Sequence, residues 1–154
     1  MDFSRDISVI SGSPMVQDVL RELCDLTEMG FAAVARVTEH RWIACQVLDR
    51  VGFGLEPGSE LKIKTTICDE IRDSGTAVFI DSVAEAPAWR AHPTPVLYGF
   101  QSYVSLPLYR ADGSFFGTLC AIDPDPHVVD TPELRAAIQG LADKVVVFLD
   151  TEAV

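Results

Sequence analysis

The sequence predicts an α+β domain: a central antiparallel sheet, terminal helices packed on one face, and a short helix plus loops covering the other. Three observations carry this reading. Turn and breaker residues divide the chain into helix, strands, helix, strands, helix. The hairpin signal Asp112-Gly113 lies between two alternating runs, 101–109 and 115–122. Apolar residues recur at helical spacing near both ends of the chain and at strand spacing between them.

The first helix is expected to start at Ser13, which can cap, and Pro14, whose missing N–H would have no partner in the first turn anyway. Val16, Val19, Leu20, Leu23 and Leu26 then form its apolar face, and Gly30 is expected to stop it. Residues 31–37 are small and apolar on both faces, as a central strand requires. Residues 41–48 read as its hairpin partner across Thr38-Glu39-His40. Strict alternation there puts Trp42, Ala44, Gln46 and Leu48 on one face and Ile43, Cys45 and Val47 on the other. Glycines and a proline mark 52–58 as a loop.

A short helix is expected over 66–74, with Thr66 and Asp69 as a capping pair and Gly75 as its end. Residues 77–83 read as a strand. Residues 84–100 read as a proline-broken loop with one short helical turn, carrying Trp89, His92 and Tyr98. After the hairpin, Asp123-Pro124-Asp125-Pro126 closes the last strand, because proline cannot continue a ladder. Asp130-Thr131-Pro132-Glu133 opens the last helix. Its residues Leu134, Ile138, Leu141, Val145 and Phe148 alternate spacings of four and three, which is the seam of a helix–helix interface. That seam fits either the helix's own sheet or a second subunit.

The chain has 154 residues, which suits one domain spanning 1–154, and 48% of them are hydrophobic. The formal net charge of −11 repels phosphate backbones and anionic lipid, so nucleic acid and membrane surfaces are not expected partners. No window reaches the length of a transmembrane helix, and the first residues lack the pattern of a signal peptide, so a cytoplasmic location is expected. Cys24, Cys45, Cys68 and Cys120 are scattered without CxxC spacing, which argues against zinc and for reduced, buried thiols.

A sheet face closed by loops is where small-molecule cavities form. Alternation turns Tyr103 and Ser105 toward that face and Val104, Leu106 and Leu108 toward the terminal helices. Cys68 and Ile71 share the inner face of the short helix. Cys68 lies near the start of that helix, where the macrodipole can acidify a thiol, but burial opposes this and a structural role is preferred. Asp81 is expected to accept from backbone N–H groups of the proline-rich loop or to orient a ligand. Trp89 and Tyr98 either plug the cavity or stack on its occupant. The candidate ligand-binding set is therefore Cys68, Ile71, Asp81, Trp89, Tyr98, Tyr103 and Ser105. No catalytic residue and no metal site is expected; His40, His92 and His127 are separated from one another and from the cysteines.

Ser102-Tyr103-Val104-Ser105-Leu106-Pro107-Leu108, Asp112-Gly113, Gly117-Thr118-Leu119-Cys120-Ala121-Ile122, Thr131-Pro132-Glu133-Leu134 and Leu141-Ala142 together resemble the closing hairpin and helix of the GAF family. Thr65-Thr66-Ile67-Cys68 and Ile80-Asp81 sit where GAF domains place their inner helix and following strand. More narrowly, His92-Pro93, Tyr98-Gly99-Phe100, Gly117-Thr118-Leu119-Cys120 and Asp123-Pro124 are similar to the input domain of bacterial sensor histidine kinases and related signalling proteins. The resemblance implies a GAF/PAS-like sheet and a non-enzymatic sensory domain with a small-molecule ligand of unknown identity; it names no cofactor. It further implies a homodimer through the terminal helices and an output module, such as a histidine kinase, in the same or a partner chain. The alternative is a dimerisation or protein-interaction module with an empty pocket. A bilin photosensor is disfavoured because 92–98 holds no cysteine. An enzyme like free methionine-R-sulfoxide reductase is disfavoured because Cys68 alone matches and no cysteine lies between Ser82 and Gly99. A cyclic-nucleotide site is disfavoured because the Asn-Lys…Phe…Asp-Glu signature is missing.

Overall fold

The computed structural model describes residues 3–61, 67–86, 89, 99–152 and 154. Six strands form one antiparallel sheet: β1 (Phe31–Val37), β2 (Trp42–Asp49), β3 (Glu60–Leu61), β4 (Val78–Ile80), β5 (Ser102–Tyr109) and β6 (Phe115–Asp123). Their order across the sheet is β3-β2-β1-β6-β5-β4. The α-helices among the described residues are α1 (Ser4–Ser11), α2 (Pro14–Thr27), α3 (Ile67–Ser74) and α4 (Pro132–Thr151).

The centre of the sheet is β1 against β6, in register from Phe31 opposite Ile122 to Arg36 opposite Gly117. Ala32, Ala33, Val34 and Ala35 are fully buried, as a strand covered on both faces demands. The two strands approach so closely that a Cβ on Gly117 would lie 1.8 Å from the Ala35 carbonyl oxygen, so only glycine fits there.

The helices α2 and α4 pack on one face over Val104, Leu106, Leu108, Leu119 and Ala121. Both start as expected: Ser13 accepts from the Val16 N–H and Thr131 from the Leu134 N–H, each followed by proline. The end of α2 differs from expectation. It stops at Thr27, with Glu28 in the left-handed conformation at φ 61°, ahead of Gly30. Gly30 serves elsewhere: a Cβ there would lie 2.2 Å from Val51 Cγ1 and force that side chain to move, while the Gly30 N–H donates to Asp123 Oδ1 at 2.8 Å.

Helix α1 was not predicted, because its serines and charges leave few apolar positions and Phe3 supplies no side-chain cap. Tertiary contacts hold it. Ile10 is fully buried, Asp6 pairs with Arg36 at 3.5 Å, and Arg5 donates to the Glu152 carbonyl at 2.9 Å. The two-residue β3 follows the expected loop 52–58, in a stretch where no strand is expected, and β4 is shorter than 77–83. The Thr66 cap lies outside the described residues.

The alternation expected along β2 is corrected by a β-bulge. Val34 pairs with Gln46 and Ala35 with Ala44, so Cys45 is the extra residue. Trp42 and Ala44 pack with Cys68 on the loop-covered face. After the bulge, Leu48 packs against the helix-side core and the buried Gln46 amide donates to the Ile10 and Ser13 carbonyls at the α1–α2 junction. One inserted residue thus gives a single strand two facings.

The stripe on α4 is internal. Ile138, Leu141 and Val145 are buried in the chain's own core, with Leu134 and Phe148 packed at its margin. This corrects the possibility that they form a seam between subunits. Among the described residues, no helix is long and apolar enough to cross a membrane. Because Val145 is fully buried, Val145→Asp should unfold the protein, lowering stability by at least about 3 kcal/mol in urea titration. A change that altered only molecular mass, with stability intact, would contradict the internal packing.

Candidate functional site

The second face of the sheet is closed by α3, by the segment 50–61 and by Phe100. A half-enclosed cavity remains beneath them, with about 40 Å3 open to the centres of water molecules. Its apolar walls come from Phe31, Phe53, Leu55, Leu61, Phe100 and Ile122. Phe31 meets Phe53 at 5.3 Å between ring centroids, and Phe100 stacks on Tyr103 at 5.2 Å. Its polar atoms come from Trp42, Cys68, Tyr103 and Cys120, each at most 5% exposed.

Cys68 sits on the first turn of α3, and its helix lies across β5 and β6. Its sulfur is 3.2 Å from Thr118 Oγ1, 3.5 Å from the Tyr103 hydroxyl and 3.8 Å from Ser105 Oγ. The Cys120 thiol lines the same cavity, on the β6 residue that pairs with Ser105. Strand geometry produces this cluster. Tyr103 and Ser105 are two apart on β5, Thr118 and Cys120 two apart on β6, and Ser105 pairs directly with Cys120. Trp42 Nε1 is buried and makes no well-formed hydrogen bond among the described residues. Its N–H nevertheless lies close enough to Cys68 to favour the thiolate.

These neighbours set the acidity of the cluster. The hydrogen bond from Cys120 lowers the Cys68 thiol. Burial opposes it, and donors from Thr118, Tyr103 and Trp42 add to the lowering. Cys120 moves the other way, raised by its bond to Cys68 and by burial. Burial and the charge on Cys68 and Cys120 raise the Tyr103 phenol, which keeps it a donor. For two other cysteines burial dominates: it pushes Cys24 up to about 11 against the Arg50 charge, and Cys45 up to about 12 against a hydrogen bond from the Arg36 backbone.

The structure therefore brings four of the seven expected residues together. Cys68, Tyr103 and Ser105 meet directly, and Ile71 packs beside them on the same face. Tyr98 lies outside the described residues. Asp81 and Trp89 line a separate, open groove with Phe79, Ile80, Ser82, Glu85, Ala86 and Asp130. Most of the proline-rich loop expected to donate to Asp81 lies outside the described residues, but Asp81 has other partners. Its Oδ1 accepts from the backbone N–H groups of Val129 at 2.8 Å and Asp130 at 2.9 Å, which belong to the β6–α4 connection. Three residues of the cluster escaped the sequence reading: Trp42, Thr118 and Cys120. The period-two run Thr118, Cys120, Ile122 was the signal available for two of them.

Because Asp81 ties β4 to the start of α4, Asp81→Ala should cost about 1–2 kcal/mol in stability. It should leave the reactivity of Cys68 unchanged, which thiol alkylation rates would show.

The family model of the GAF domain matches residues 13–149. No curated protein matches the chain. Among solved structures, the chain is similar to the GAF domain of a two-component sensor histidine kinase from Bacillus halodurans, with 14% identity, TM-score 0.70, and coverage of 94% of this chain and 97% of that one. It is also similar to the blue-light absorbing form of the Thermosynechococcus elongatus PixJ GAF domain, with 10% identity, TM-score 0.69, and coverage of 97% and 87%. The chromophore-binding domain of a bacteriophytochrome from R. palustris matches with 13% identity and TM-score 0.73, over 99% of this chain and 63% of that one. The antiparallel sheet, its helix arrangement and the matched span establish that the chain belongs to the GAF domain family.

Proposed function

We propose that the chain is a regulatory domain without catalysis of its own, sensing a small molecule in the cavity beneath α3. The observation that carries this reading is an unpartnered donor in an apolar pocket: Trp42 Nε1 is buried at the cavity wall with no well-formed hydrogen bond among the described residues. A buried donor without a partner costs about 1–3 kcal/mol, and a ligand acceptor would recover that energy. The ligand is accordingly small and largely apolar, with one acceptor for Trp42, and Cys68, Ile71, Tyr103 and Ser105 shape its surroundings. Asp81 and Trp89 act at the neighbouring groove.

Occupancy of the cavity would shift α3 and the sheet, and α2 and α4 would carry that shift to an output module in the same or a partner chain. The Bacillus halodurans neighbour is named as part of a sensor histidine kinase, and a kinase output is the corresponding proposal here. Four free buried cysteines suit a reducing, cytoplasmic setting.

A second reading has its own observation. The cavity is small, and α4 presents Val147, 64% exposed, beside Met15 and Phe148 along a shallow groove. That surface fits a homodimer or interaction module with an empty pocket.

Native mass spectrometry against the denatured mass separates the two. Extra mass lost on denaturation supports the sensor, and Trp42→Phe should then weaken retention by about tenfold, the loss of one hydrogen bond. Bare chain or bare dimer at every concentration supports the interaction module.

A further inference from the structure

A thiol buried only to fill space needs hydrocarbon around it. Cys68 is surrounded instead by the hydroxyls of Thr118, Tyr103 and Ser105, by the Trp42 indole and by a second thiol. Those groups come from α3, β2, β5 and β6, so the fold itself assembles them. We propose that Cys68 and Cys120 form a dithiol that small hydroperoxides oxidise reversibly to a disulfide, with Cys68 the attacking sulfur and Cys120 the resolving one.

Access, activation and a leaving-group donor are all present. Both cysteines line the cavity, which is open on one side. One water needs about 10–15 Å3, so the cavity has room for hydrogen peroxide, which is little larger. The attacking species in thiol oxidation is the thiolate, and donors converging on Cys68 favour it over the other three cysteines. The unpartnered Trp42 N–H and the Tyr103 hydroxyl can hold the oxygen that departs.

The chemistry balances in two steps. The Cys68 thiolate attacks the terminal peroxide oxygen; the S–O bond forms, the O–O bond breaks, and hydroxide (alkoxide from an organic hydroperoxide) leaves and takes the proton given up by the Cys68 thiol, becoming water or the alcohol. Cys120 then attacks the sulfenic sulfur; the S–S bond forms, the S–O bond breaks, and the departing oxygen takes the Cys120 proton as water. Two thiols lose two electrons, and the hydroperoxide gains them. The disulfide would tie α3 covalently to β6, the strand at the centre of the sheet. Cellular dithiols can reverse it by exchange. This inference does not rest on the cavity taking a ligand.

The test treats the reduced full chain with equimolar hydrogen peroxide, alkylates it in denaturant and maps the thiols by mass spectrometry. The expected result is loss of two hydrogens per chain, with Cys68 and Cys120 protected from alkylation, Cys24 and Cys45 fully alkylated, and recovery on adding dithiothreitol. Cys120→Ser should stop the reaction at a sulfenic acid on Cys68 that dimedone captures, and Cys68→Ser should abolish it. Thr118→Val keeps both thiols but removes the 3.2 Å contact, and should slow oxidation by about tenfold. Four thiols equally alkylated after peroxide, or Cys24 and Cys45 consumed as fast as Cys68, would overturn the proposal. So would a Thr118→Val rate equal to wild type. Bound extra mass with all thiols unoxidised would sink this inference and leave the ligand-sensing reading standing.

Discussion

The pairing of β1 with β6 is the constraint from which the rest of the molecule follows. Both strands are buried on both faces, and Gly117 lets their backbones approach to a distance no side chain would allow. A sheet with two buried faces needs two covers. The terminal helices α2 and α4 supply one with aliphatic side chains, at the ordinary gain of about 25 cal/mol per Å2 buried. The second cover is α3 and irregular chain, which cannot pack as densely, and a cavity is the result.

That difference between covers explains why a cluster of polar side chains collects on the loop-covered face, while Gln46 is the exception on the helix side, paired with the Ile10 and Ser13 carbonyls. On the helix side, the sheet presents Val104, Leu106, Leu108 and Leu119. On the other, Tyr103, Ser105, Thr118, Cys120 and Cys68 satisfy one another in a closed network. Buried polar networks are costly unless complete, and the Trp42 indole is the member left incomplete. Ligand sensing and thiol chemistry both draw on this imbalance. Either would use polarity that the fold has already desolvated.

Most of the architecture was legible because apolar spacing reports directly on burial. Ser13-Pro14 and Thr131-Pro132 announced their helices through local chemistry, and the structure uses both caps. Helix α1 was illegible because its stability comes from Ile10, Arg5 and Asp6 reaching distant partners. The site was half legible for a related reason. Tyr103 and Ser105 on one strand, and Cys68 and Ile71 on one helix face, follow from period alone. That Trp42 joins them depends on the register of β2, which the bulge at Cys45 resets. Asp81 and Trp89 were placed with the site because they neighbour it in sequence; the chain instead turns them to a groove beside β4 and the α4 start.

The bulge at Cys45 also bears on how such a chain can diverge. Residues on either side of it serve opposite faces, Trp42 at the cavity and Gln46 at the α1–α2 junction. Replacing Cys45 by another small apolar residue leaves that division intact. Removing it restores unbroken alternation and forces one end of β2 to the wrong face. Length, more than identity, is therefore what drift at this position must preserve, and an alignment that closes this one-residue gap would misassign every pocket residue on the strand.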